Sequence, residues 1–176
     1  MLFRSSWLIV GLAPGMHGAN RTGRPFTGDH AGIVLYETLH ALGVSSAALS
    51  VSTDDGLRLQ GVRITNAVKC VPPENKPTPA EARTCNAFLQ AEFASLDRVR
   101  VIVALGRIAH DAVLDASGLA RTAFKFGHAA EHALEGGRWL IDSYHCSRYN
   151  TQTRRLTAEG FHDVFRQIHA ELDRFA

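Results

Sequence analysis

Cysteine is scarce in this chain, with three among 176 residues. An odd and sparse set argues against a disulfide framework and leaves reduced thiols or metal ligands. No apolar run approaches the roughly 20 residues of a membrane helix. The short apolar stretch near the start runs into a glycine-rich loop, which suits a buried strand better than a signal peptide. We therefore expect a soluble, cytoplasmic protein without a membrane partner. Charge of one sign is also lacking: the net charge is +2 with nine neutral histidines. That is too mild to demand nucleic acid, so any electrostatic footprint must come from placement. Neither G-x-G-x-x-G nor a Gly-Lys-Ser/Thr phosphate loop occurs, and there is no nucleophile elbow or HExxH helix. Repeats, linkers and low-complexity tracts are missing too, so we expect one domain over residues 1–176.

What is present is an alternation of strand-like and helix-like segments. "WLIVGLA" (Trp7–Ala13), "VRITNAV" (Val62–Val68), "RVIVALG" (Arg100–Gly106) and "RWLID" (Arg138–Asp142) read as buried strands. Between and after them lie "AGIVLYETLHALG", "TPAEARTCNAFLQAEF", "RIAHDAVLDASG" and "AEGFHDVFRQIHAEL", with helical periodicity. Thr78, Pro79 and Glu81 predict a capping box at the start of the second, and Thr157 predicts the cap of the last. The pattern implies an α/β fold with a parallel sheet covered on both faces. In such sheets ligands bind beyond the carboxyl ends of the strands. The polar loops after the first, second and fourth strands should share that edge. They carry Arg21, Arg24, Lys69, Lys76, Arg148, Arg154 and Arg155, which predicts a basic rim around one cleft.

Four residues in these loops invite a chemical reading beside a plainer one. Asp29 stands where the first helix should begin, so it can cap that helix, hold a water, or do both. Phe26 can plug its loop onto the core or offer a stacking face to a base. Asn66 ends a strand, where Asn is disfavoured. Its amide can satisfy loop backbone, or donate and accept as reading a nucleobase edge requires. His145, near Ser147 and Asn150, can bond to backbone or donate to a developing anion. Cys70 and Cys85, with fourteen residues between them, are more often buried hydrophobes than ligands.

Taken together, "GLAPGMHGANRTGRPFTGDHAG", "ITNAVKCVPPENKPTPAE" and "SYHCSRYNTQTRRLT" resemble the signature segments of the type B, or family 5, uracil-DNA glycosylases. The similarity covers nearly the whole chain, in the right order. It implies a three-layer α/β/α sandwich with a central, mainly parallel four-stranded sheet, and a monofunctional enzyme. That enzyme hydrolyses the N-glycosidic bond of uracil in DNA, leaving an abasic site, and other deaminated bases are conceivable substrates. By the same resemblance Phe26 stacks on the base, Asn66 reads its edge, and Ala13 and Gly15 belong to the base pocket. Asp29 positions or activates water and His145 is the second catalytic residue. Arg21, Arg24, Lys76, Ser147, Arg148 and Tyr149 would contact the DNA, with Ser147–Tyr149 entering the duplex. Where other superfamily members carry an acid at the positions of Leu12 or Ala13, this chain has none, which moves the burden to Asp29.

The resemblance also implies a four-iron, four-sulfur cluster that the chemistry itself does not require. Cys70 and Cys85 match two of its four ligands, and the segment bearing the other pair has no counterpart here. A shortened start, a cluster-free relative or another ligand arrangement would each account for this, the first two being preferred. The expectation is a chain without an intact cluster, which an iron stoichiometry near four would overturn. The partner expected is uracil-containing DNA, bound by a monomer. The rival readings are a non-catalytic DNA-damage or single-strand-binding protein using the same cleft, and a small-molecule hydrolase or nucleotide-binding α/β enzyme. The missing phosphate loops and nucleophile elbow argue against the latter.

Overall fold

Strand β1 (Trp7–Gly11) runs through the sheet with every residue buried, between β2 (Val62–Asn66) and β3 (Val101–Leu105), both parallel to it. The computed structural model of the chain describes residues 6–175. Beyond β3 lies β5 (Arg138–Ser143), again parallel. The strands expected from sequence are thus all present, with ends a residue or two shorter or longer. The sheet has a fifth member, β4 (Glu131–Leu134), so the four-stranded expectation is corrected to an order of β2-β1-β3-β5-β4. Strand β4 is antiparallel to β5 and joins it through Gly136 and Gly137, both at positive φ (76° and 74°). A Gly-Gly pair there supplies the backbone freedom that a tight hairpin needs.

Alternation along β1 assigns its side chains to two cores. Trp7 and Ile9 face one layer with Leu35, Leu39, Phe161 and Phe165. Those residues come from α2 (His30–Ala41) and α6 (Ala158–Ala170). Leu8 and Val10 face the other layer with Leu89, Phe93 and Val113, from α3 (Pro79–Ser95) and α4 (Arg107–Ala116). Because both faces are covered, the strands read as continuous apolar runs rather than as alternating ones. Each fully buried large side chain contributes roughly 1.5–3 kcal/mol of transfer free energy.

The helix starts follow the sequence. Thr78 and Glu81 form the reciprocal capping box of α3, and Thr157 Oγ1 accepts from Gly160 N–H at 3.0 Å at the head of α6. Two short helices were not foreseen: α1 (Ala19–Thr22) inside the first loop and α5 (Arg148–Gln152) inside the last. The register Gly11↔Asn66 and Leu105↔Ser143 brings the carboxyl ends of β1, β2, β3 and β5 to one edge. The three polar loops gather there. Among the described residues no helix is long and apolar enough to cross a membrane.

Candidate active site

A cavity of about 540 Å³ opens at this edge, lined by Phe26, Asp29, Asn66, His145, Lys76 and Tyr149 among others. One wall is Phe26, which is buried and held at φ 55°. Positive φ is unfavourable for an aromatic residue, so the surroundings must hold it in place. Tyr36 O–H donates to the Pro25 carbonyl at 3.1 Å just before it. Gly32, on α2, lets the Phe26 carbonyl lie where a β-carbon would come within 1.8 Å of its oxygen. Gly11 gives the same freedom on the sheet side. A β-carbon there would lie 2.5 Å from both the Phe26 ring and Asn66 Oδ1.

Asn66, the last residue of β2, is buried, and its Oδ1 has no hydrogen-bond partner among the described residues. A buried polar atom left unpaired costs about 1–3 kcal/mol. Satisfying backbone, the plainer reading of Asn66, is therefore not what this oxygen does.

Asp29 performs the helix-capping role. Its Oδ1 accepts from Gly32 N–H at 2.8 Å at the start of α2. The second oxygen, Oδ2, packs against Gly18, where a β-carbon would approach to 2.6 Å, and lies near Gly15. Among the described residues nothing donates to Oδ2, so capping leaves one carboxylate oxygen free at the cavity wall. The two readings of Asp29 are compatible in a single geometry.

His145 stacks on Phe26, ring centroids 5.9 Å apart at 29°. Burial lowers its pKa to about 4, against a smaller opposing pull from the Asp29 charge, so near neutral pH the ring is uncharged. A neutral imidazole keeps one N–H to donate. The loop carrying it is fixed from three sides. Asn150 Nδ2 donates to the His145 carbonyl at 2.8 Å, and Cys146 S–H points at the Ala31 carbonyl at 3.4 Å. His30 Nε2 meets Thr151 Oγ1 at 3.1 Å, tying the first loop to the last. Ser147 caps α5 through Asn150 N–H, leaving Arg148 and Tyr149 exposed at the rim.

A family model, the uracil DNA glycosylase superfamily, matches residues 2–169. The chain belongs to this superfamily. A type-5 uracil-DNA glycosylase of Thermus thermophilus is 56% identical over 89% of this chain and 71% of its own length. One from Mycobacterium bovis is 46% identical over 93% of this chain and 62% of its own length. One from Pyrobaculum aerophilum is 44% identical over 93% and 71%, respectively. The chain thus spans between 62% and 71% of these relatives.

For a superfamily member the placements of the other expected residues are informative. Ala13, Gly15, Lys76, Ser147, Arg148 and Tyr149 all line the cavity. Arg24 does not. Its guanidinium is committed to Asp55 (2.8 Å), Ser50 (2.9 Å) and the Thr53 carbonyl (3.0 Å). Asp55 is held well below the usual carboxylate range, chiefly by that bond. Lys69 is likewise bound to Glu92 at 3.1 Å and to Thr65. Arg21 is exposed but outside the cavity lining and donates to the His17 carbonyl. The rim is therefore narrower than the sequence suggests, because acids in distant segments neutralise part of it.

The three cysteines lie in unlike surroundings. Cys70 is exposed and Cys85 half-buried. Cys146 is fully buried, its thiol directed at the Ala31 carbonyl and its pKa pushed up to about 12 by burial. A four-iron, four-sulfur cluster takes four thiolates, and the described residues hold three cysteines. One further group escaped sequence reasoning: the buried Asp142, at the end of β5. Its Oδ1 meets His110 Nδ1 at 2.8 Å and its Oδ2 meets His132 Nε2 at 3.1 Å. His110 Nε2 faces the Phe124 carbonyl at 3.1 Å. The partners come from α4, β4 and β5, so only the sheet order reveals them.

Proposed function

We propose that this chain removes uracil from DNA by hydrolysing its N-glycosidic bond, leaving an abasic site. The observation that carries the reading is the unpartnered Oδ1 of Asn66 in a cavity walled by Phe26. The names of the type-5 relatives support it. Chemistry on a base requires the nucleotide to leave the stack, at a cost of a few kcal/mol. The extruded base would lie against Phe26, with Asn66 accepting from N3–H through Oδ1 and donating to O4. Cytosine inverts that pattern. A buried mismatch of this kind can reject the wrong base by roughly 10⁴-fold.

Cleavage leaves an oxocarbenium-like sugar and a uracil anion. The neutral His145 would donate to O2 as negative charge grows there, in a site prepared before the reaction begins. Asp29 Oδ2 would orient the water that attacks C1′ and favour the cationic sugar. Lys76 and Arg148 would hold phosphates at the mouth, giving affinity without sequence preference. Other deaminated bases that present an N–H beside a carbonyl, such as hypoxanthine, fit the same Asn66 pattern.

The test is base release from duplexes bearing uracil, hypoxanthine or cytosine, scored as strand breakage after alkali. The parent chain is expected to release uracil and spare cytosine. Asn66→Ala should lose most of that discrimination. Asp29→Asn should slow single-turnover release by roughly 10²–10⁴-fold while binding persists. A parent that binds uracil-containing DNA without breaking it would mark a non-catalytic binder.

A further inference from the structure

A second cavity, of about 410 Å³, adjoins the first and shares Leu12 and His145 with it as common walls. Arg107 and Arg155 both line it, each laid over an aromatic ring of the same cavity. The Arg107 guanidinium lies 5.2 Å from the Phe126 centroid, and that of Arg155 lies 4.8 Å from Tyr144. Among the described residues neither has a carboxylate partner. This sets them apart from Arg24 and Lys69, whose charges are neutralised by acids. Stacking leaves the in-plane N–H donors of a guanidinium exposed and fixes their direction, which suits bidentate binding of a phosphate.

The Tyr144 ring has a second stacking partner. His128 stacks on the Tyr144 ring at 5.0 Å and 19°. Burial keeps the His128 pKa low, and its Nδ1 accepts from Tyr144 N–H at 3.2 Å, so it adds no charge. What the cavity presents is therefore two positive donors, each oriented by the ring beneath it. Helix α4 opens on the same space without a side-chain cap, which adds to the preference for an anion. Gly106, at φ 96°, stands at the head of that helix on the cavity wall, in a backbone conformation that favours glycine.

We propose that this second cavity is a phosphodiester site, in which Arg107 and Arg155 hold a backbone phosphate of the strand whose base enters the first cavity. The inference rests on the DNA reading of that first cavity. A site next to the base pocket would hold the strand in place while the nucleotide is extruded. It would bind at one linkage, unlike charges spread along the rim.

The experiment neutralises one phosphate at a time. Duplexes carrying a non-hydrolysable 2′-fluorinated deoxyuridine and a single methylphosphonate at each flanking linkage are titrated by fluorescence anisotropy, against the parent and against Arg107→Gln/Arg155→Gln. One linkage should weaken binding to the parent by about tenfold or more, the magnitude of a hydrogen bond to a charged group. The same substitution should cost the double variant little. Arg155→Lys should recover only part of the loss, because lysine keeps the charge but not the planar fork. Equal losses for both proteins at every linkage would overturn the site and leave the arginines as diffuse charge. Both side chains are exposed, and matching thermal melts of parent and variants exclude a folding defect. Failure of the parent to release uracil would sink the glycosylase reading, while the linkage scan would still decide the phosphate contact.

Discussion

Asn66 and Gly11 show what one residue in a sequence discloses and what it withholds. An asparagine ending an apolar strand is conspicuous by its type alone. Gly11 is not, because its importance lies in being the register partner of Asn66 and in touching the Phe26 ring. That contact joins three distant segments and is invisible until the sheet order is known. His145 is a similar case, since its neutrality is a property of burial that no local pattern encodes. Its folded pKa, about 4, lies below the ordinary 6.5. The unfolded chain therefore binds the extra proton first as pH falls. The stability tied to His145 is present above pH 6.5 and is lost as pH falls toward 4, amounting to something on the order of 3 kcal/mol. His145→Gln removes this titration. Urea midpoints at about pH 7 and pH 4.5 should then differ less for the variant than for the parent. Equal acid losses in the two proteins would mean that the imidazole is hydrated in the folded state.

At the scale of elements, the apolar runs of β1, β2, β3 and β5 were legible, and so were the caps of α3 and α6. Strand β4 was not, because Glu131–Leu134 is a short edge strand with only Leu134 buried. An edge strand draws its stability from backbone pairing with β5, so its side chains need not spell a strand. The loop before β4 is stapled by charge instead. Asp142 Oδ2 accepts from Gly127 N–H at 3.3 Å, and the Asp142 backbone pairs with Ala129 and Ala130. Both nitrogens of His110 face acceptors, so its fully bonded form is the imidazolium. Burial alone would lower its pKa, but the hydrogen bond and charge of Asp142 outweigh it and the net shift is upward. The sign is therefore opposite to that of His145. The stabilisation is complete below pH 6.5 and is lost as pH rises through the raised value. His110→Gln should cost more stability at about pH 6 than at about pH 9, measured by urea denaturation. Losses that were equal, or larger at the higher pH, would mean that His110 is neutral when folded.

At the scale of the whole molecule, a net charge of +2 hides how the cations are spent. Topology correctly brings three polar loops to one edge, but it cannot say which of their cations meet acids arriving from elsewhere. Asp55 comes from the segment between α2 and β2, and Glu92 from α3, and they neutralise Arg24 and Lys69. Four cations line the two cavities: Lys76 and Arg148 in the first, Arg107 and Arg155 in the second. Each phosphate contact to duplex DNA contributes about −0.9 to the slope of log K against log salt, so four contacts predict about −3.6. The seven cations read from sequence alone would predict about −6. A binding titration between roughly 50 and 200 mM salt separates the two values, a span over which phosphate contacts produce large changes in affinity. Arg24→Gln adds an internal control. It should lower the melting temperature by breaking a half-buried ion pair, yet leave the slope unchanged. Arg155→Gln should do the reverse, flattening the slope by about one contact with little effect on melting, because an exposed guanidinium stacked on one ring contributes little to folding. A slope near −6 that fell with Arg24→Gln would show instead that DNA draws Arg24 away from Asp55.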